Sequence, residues 1–239
     1  MSTLTKNLVL LSLVVTCLAC TATNATEEAT PSDVVPGQLK VGLLVVDGVY
    51  NTELTAPMDM FQHTIFHTQP GMRVFVVAPT KDPVRSFEGL RILPDYDFDD
   101  CPPIDVLVVP SAEHSMDSDL ENKELMNFVR ERGQQAKWLL SLCDGAFVLA
   151  SAGLLDGHAA TTFPSDIPRF DEMFGERIDV LRDVSFVHDR NVITSVGGAP
   201  SFEAALYLCE LLYGAKAARG IADGLVIDWD LSSIRYEKR

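Results

Sequence analysis

The residue with the most chemical promise is Cys143. It ends the apolar run Trp138-Leu139-Leu140-Ser141-Leu142 and is followed by Asp144-Gly145-Ala146-Phe147, the opening of a helical pattern. A thiol where a strand hands over to a helix lies near unpaired backbone N–H groups and the positive end of the helix dipole, and both favour thiolate. That is the setting of a sulfur nucleophile with a depressed pKa. The same position also suits a small buried hydrophobe at the end of a central strand, the usual role of a free cysteine. A second chemical group is Glu53, in the first turn of a segment carrying Leu54, Met58 and Phe61 at helical spacing, which Asn51 or Thr52 can cap. A glutamate there complements the helix dipole, whatever else it does. His114 follows the apolar run 104–109 in the exit Ser111-Ala112-Glu113-His114, where open α/β sheets place ligand crevices. It is either a base reaching that crevice or a solvated loop histidine. His63, His67, His158 and His188 are expected to be solvated. No metal-ligand spacing and no glycine-rich phosphate loop is visible, so no metal or cofactor is expected.

These residues have to be positioned by strands that alternate with helices. Short apolar runs at 39–46, 72–79, 104–110 and 138–142 read as buried parallel strands, and 84–93 reads as two short strands turning at Glu88-Gly89. Helices are expected at 121–135, 144–152, 167–174, 201–213 and 215–226, with strands at 180–187 and 191–195 joined at Asp189-Arg190. The alternation predicts a mostly parallel sheet covered on both faces.

The ends carry different information. Lys6 followed by the apolar stretch 8–18 has the order and length of a secretory signal and is short for a membrane span. Cleavage before Cys20, in Cys17-Leu18-Ala19-Cys20, yields a lipid-anchored protein, and cleavage after Ala25 a soluble exported one. Residues 1–25 are thus expected to be the signal, 21–38 a flexible tether, 39–214 the domain and 215–239 a C-terminal helix and tail. In an exported protein Cys101, Cys143 and Cys209 leave at least one thiol unpaired, and Cys143 is the one expected. A formal net charge of −15 with no Lys/Arg cluster argues against a nucleic-acid partner, leaving a small molecule as the expected one and a lipid anchor as the expected membrane contact.

Several segments, in this order, carry a family resemblance: Asp47-Gly48-Val49 through Glu53-Leu54-Thr55-Ala56-Pro57; Val84-Arg85-Ser86; Cys101-Pro102-Pro103-Ile104-Asp105 through Pro110; Ser141-Leu142-Cys143-Asp144-Gly145-Ala146-Phe147 through Thr161-Thr162; and Gly197-Gly198. The chain resembles the DJ-1/PfpI superfamily, and most of all its isonitrile hydratases and the amidase-like domains of certain transcription regulators. The resemblance implies an α/β three-layer sandwich with a mostly parallel flavodoxin-like sheet, and a homodimer. It implies Cys143 as nucleophile with Glu53 against its sulfur, donating a hydrogen bond when protonated or acting as a base when ionised. It further implies an oxyanion site built from the backbone at Asp144, Ser111 and Ala112. The activity implied is hydration of isonitriles or a glyoxalase/deglycase-like hydrolysis, with a non-catalytic binding or redox-sensing domain as the alternative. The chain departs from the family pattern at Asp144, where Thr or His is usual, at Phe163-Pro164 in place of His-Trp, and at Ser111-Ala112 in place of Gly-Gly.

Overall fold

The computed structural model describes residues 35–239. In chain order the elements are β1 Lys40–Leu44, α1 Asn51–Gln62, a 3-10 turn at His63–Phe66, β2 Arg73–Ala78, β3 Val84–Arg85, β4 Arg91–Ile92, β5 Tyr96–Asp97 and β6 Val106–Val109. They continue with α2 Ser118–Glu121, α3 Lys123–Gln135, β7 Trp138–Leu142, α4 Gly145–Ser151, β8 Ala159–Ala160, α5 Ile167–Phe174 and β9 Asp179–Val180. The last are β10 Phe186–Asp189, β11 Val192–Ser195, α6 Pro200–Tyr213, α7 Ala215–Gly224, a 3-10 turn at Leu231–Ser233 and β12 Tyr236–Lys238.

Eight strands form one sheet in the order β12-β10-β11-β7-β6-β1-β2-β5. The one antiparallel pair in it is β10 with β11, joined by the turn at Asp189-Arg190. Alternation along the central strands sorts the core into two layers. Val41, Leu43, Val106, Val108, Leu140 and Leu142 face α1, α6 and α7. Leu44, Leu107, Val109 and Leu139 face α3, α4 and α5. The result is the expected three-layer α/β sandwich. Because β1, β6, β7 and β11 are mutually parallel, their carboxyl ends open on one edge of the sheet, and every loop of the site leaves from there.

The structure corrects the sequence expectation in four places. Asn51 does not cap α1: Tyr50 is the N-cap residue and offers no side-chain cap, while the Asn51 N–H donates to Glu88 Oε2 at 3.0 Å. The helix expected from 121 starts at Lys123, because the Asn122 side chain accepts the N–H groups of Glu124 and Leu125 and stops α2 from running on. The strand expected at 180–187 is two strands, since Asp183 turns the chain with φ 55 and β9 pairs with β8 instead of joining the main sheet. The tail beyond α7, for which no strand was expected, holds β12, which pairs parallel with β10 and forms the sheet edge. Its three residues are too few and too polar to show a period. The ring of Tyr236 stacks on Phe186 at 4.8 Å and fixes the pairing.

Candidate functional site

Cys143 stands just past β7 in a left-handed backbone conformation, φ 53. For a residue with a Cβ that conformation costs about 1–3 kcal/mol, so its surroundings have to hold it. The Cys143 N–H donates to Ser195 O at 3.0 Å, and its carbonyl accepts from Thr162 Oγ1 at 3.1 Å. Two glycines make the fit possible. A Cβ on Gly145 would lie 2.0 Å from Val109 O, and one on Gly197 would lie 2.3 Å from Cys143 Cβ. The sharp turn from strand to helix therefore rests on residues from β6, β7, β11 and the loop after β8.

Glu53 reaches the site from α1. The helix start is pinned to the β6 exit by the Tyr50 N–H, which donates to Ser111 O at 3.0 Å. Glu53 is buried, and its Oε1 accepts the Gly198 N–H at 2.9 Å. That bond ties the carboxylate to the turn in contact with Cys143. Its first-turn position has a purpose beyond the helix dipole.

Asp144, the residue after the nucleophile candidate, is also buried. Its Oδ2 stands 3.8 Å from Cys143 Sγ, and its Oδ1 accepts from Thr162 Oγ1 at 3.0 Å. Burial raises the Asp144 pKa to about 6, helped by the charge of Asp166 and opposed by the Thr162 hydroxyl. The Cys143 thiol is likewise pushed up, first by burial and then by the Asp144 and Glu53 carboxylates. The Asp144 N–H and the Ser111 hydroxyl favour the thiolate without outweighing these. The expected depressed thiol is corrected here: α4 is only seven residues long, and two anions face the sulfur.

Of the expected oxyanion donors, the Asp144 N–H faces the sulfur. The Ala112 N–H does not qualify, since it donates to Ser115 Oγ at 2.8 Å. Ser111 contributes a fully buried hydroxyl that faces the Cys143 sulfur. His114 is half-exposed and turns its Nδ1 to Asp117 at 3.4 Å, so it is no substitute base. His188, expected in solvent, is buried between the Tyr207 hydroxyl and Arg190 O, each at 2.8 Å. Cys101, Cys143 and Cys209 are all free and buried. Cys20 and the signal sequence lie outside the described residues. Sequence reading passed over Tyr50, whose phenol feels Cys143, Glu113, Asp144 and Glu53 and whose ring packs on Phe87 at 4.8 Å. Its place just before the helix of Glu53 was the available signal. Thr162, noted only as part of a motif, is the hydroxyl that ties Asp144 to the Cys143 carbonyl.

Comparison with known proteins bears on the family and the fold. Residues 39–211 match the sequence profile of the DJ-1/PfpI family. The chain is 30% identical over 181 residues to an isonitrile hydratase of Pseudomonas putida, covering 76% of this chain and 75% of the relative. It is 28% identical over 141 residues to the HTH-type transcriptional regulator GbdR of Pseudomonas aeruginosa, covering 59% of this chain and only 37% of the regulator. The crystal structure of a ThiJ/PfpI family protein from Pseudomonas syringae superposes with a TM-score of 0.69 at 27% identity, covering 86% of this chain and 84% of that one.

Proposed function

Since this chain belongs to the DJ-1/PfpI family, we propose that it is a cysteine-dependent hydratase or hydrolase of small electrophiles, with Cys143 as nucleophile and Glu53 moving the proton. The observation that carries the reading is the strained Cys143 backbone, held against a buried Glu53 by the Gly197-Gly198 turn. For an isonitrile, the sulfur bonds to the terminal carbon while the thiol proton passes through a carboxylate to that carbon, giving a thioimidate. Water then adds its oxygen to the carbon and a proton to the nitrogen. The C–S bond breaks as the remaining hydroxyl proton returns to sulfur, and an N-substituted formamide leaves. The Asp144 N–H is available to negative charge that develops beside the sulfur. Because the resting thiol is held protonated, deprotonation accompanies attack and does not precede it.

One observation favours a second reading, a binding or redox-sensing domain: the buried thiol is short of ionising influence. Turnover of isonitriles and small aldehydes by the wild type, Cys143→Ala and Glu53→Gln, with iodoacetamide alkylation of Cys143 followed against pH, separates the two. The hydratase reading expects alkylation with a midpoint above the unperturbed ~8.5 and turnover lost in Cys143→Ala. It expects a fall of ~10²-fold or more in Glu53→Gln, which keeps the acceptor for Gly198. Wild-type turnover equal to that of Cys143→Ala, with selective peroxide oxidation of Cys143, would establish the sensor instead. Export, with lipidation at Cys20 or release after Ala25, and assembly as a homodimer complete the proposal.

A further inference from the structure

Asp144 stands at the N-cap position of α4, where an aspartate ordinarily turns its carboxylate onto the N–H groups of the first turn. Its side chain makes no such bond. It turns to the thiol instead, with Oδ2 3.8 Å from Cys143 Sγ, while Oδ1 lies 3.0 Å from Thr162 Oγ1. Among the described residues no other donor reaches this buried carboxyl, and no Lys, Arg or His pairs with it. The Thr162 hydroxyl is itself shared, because it also lies 3.1 Å from the Cys143 carbonyl and has one proton to give. All three groups are bonded only when Asp144 carries a proton: Oδ1–H then donates to Thr162, and Thr162 donates to the carbonyl. The surroundings of Asp144 are thus arranged to take up one proton. Glu53 is placed differently, since its Oε1 accepts the Gly198 N–H at 2.9 Å and the thiol donates to Asp144 rather than to it. An imidazole, the common acceptor of a thiol proton, is missing: Phe163-Pro164 replaces His-Trp, and His114 turns to Asp117.

We infer that Asp144 is a further catalytic residue, whose Oδ2 takes the Cys143 thiol proton during attack and hands it to the carbon that sulfur has bonded, leaving Glu53 to serve the water. This rests on the reading of Cys143 as the nucleophile. In the first step the S–H bond breaks, its proton goes to Oδ2, and the freed sulfur pair forms the C–S bond to the isonitrile carbon. That carbon keeps its lone pair, which then takes the proton from Oδ2 to give the thioimidate and restore the carboxylate. In the second step Glu53 takes a proton from water as its oxygen bonds to the carbon, and passes it to the nitrogen. A group that accepts and returns a proton works best near its operating pH. Burial first, then the charges of Asp166 before α5 and Glu53 on α1, bring Asp144 to about 6 against the Thr162 hydroxyl and the thiol. A separation of 3.8 Å suits a resting site, where such bonds are long and tighten once substrate is bound.

The test sets turnover of n-butyl isonitrile against iodoacetamide alkylation of Cys143, both followed across pH in the full chain, for the wild type, Asp144→Asn and Glu53→Gln. Wild-type kcat/KM should rise through about 6, where Asp144 gives up its proton, and stay level above it. Asp144→Asn should lose that rise and turn over ~10²-fold more slowly at about pH 7, through kcat rather than KM. Its thiol should nevertheless be alkylated faster, because a carboxylate that repels the thiolate is gone. The deficit should shrink as pH climbs and thiolate forms unaided. Asp144→Ser, smaller and equally unable to accept a proton, gives the same reading if the amide variant is insoluble. Glu53→Gln should be slow but keep the rise. A merely repulsive Asp144 has the opposite consequence, so Asp144→Asn turning over as fast as the wild type, or faster, overturns the inference and leaves Cys143 and Glu53 in their roles. A rise that survives in Asp144→Asn and vanishes in Glu53→Gln also overturns it, by giving the thiol proton to Glu53. Wild-type turnover no greater than that of Cys143→Ala removes the hydratase reading and this inference together.

Discussion

Asp144 sets the sign of the response of this site to pH. Its folded pKa of about 6 lies above its ordinary value of 3.8, so between those values the folded state binds more protons than the unfolded state. Stability therefore falls as pH rises through that window, and the penalty persists above it. Asp144→Asn keeps an acceptor for the Thr162 hydroxyl and removes the charge. The expected outcome is a gain of roughly 2–3 kcal/mol in urea unfolding near pH 7.5 and almost none at pH 4. The same variant should lower the pH midpoint of Cys143 alkylation, because the carboxylate that repels the thiolate most strongly is gone. An unchanged midpoint would mean that Asp144 does not face the thiol.

The turn between β11 and α6 decides whether the site exists. Gly197 and Gly198 both have positive φ, 81 and 59, yet they differ in surroundings. A methyl group at 197 would collide with Cys143 Cβ, whereas nothing lies within 4 Å of one at 198. Gly198→Ala should cost ~1 kcal/mol, the strain of the left-handed conformation alone, and Cys143 should keep its reactivity. Gly197→Ala should cost more than ~2 kcal/mol and displace Cys143, seen as a changed alkylation rate in urea titrations run alongside. At this scale the sequence was informative where an element has a period or a cap. The strands delivering Ser111 and Cys143 were legible as apolar runs, and the helix carrying Glu53 by its 3.6 period. The orientation of His114, the use of the Ala112 N–H by Ser115 and the burial of His188 were not. The first two are set inside one irregular loop, by Asp117 and Ser115 three residues on, which has no period to read, and the third by Tyr207 brought from α6 against His188. Cys143 and Glu53 were singled out from the sequence as candidates, but the balance of forces on the thiol was not legible there, because it needs the burial of the sulfur and the placement of two carboxylates at once.

At the scale of the molecule, β12 joins the end of the chain to the core. Tyr236 packs on Phe186 and Tyr207, and both of those are buried. A chain ending at residue 229 loses this strand and leaves β10 with an open edge. The expected outcome is a loss of ~2–4 kcal/mol in urea unfolding and a shift to larger species in size-exclusion chromatography. A truncated chain as stable and as monodisperse as the whole would show that the pairing of β12 adds nothing.

That final strand also bears on how the protein is made. β1 near the start of the described chain lies inside the sheet, flanked by β6 and β2, while the edge next to β10 is filled by residues 236–238. A ribosome makes those residues after every other strand of the sheet. Until they emerge, the nascent protein has most of its core and an unpaired strand edge beside it. The interval between synthesis of β10 and emergence of β12 is therefore when this polypeptide is most exposed to pairing with another chain. A chaperone that covers one strand edge would be most useful to it then.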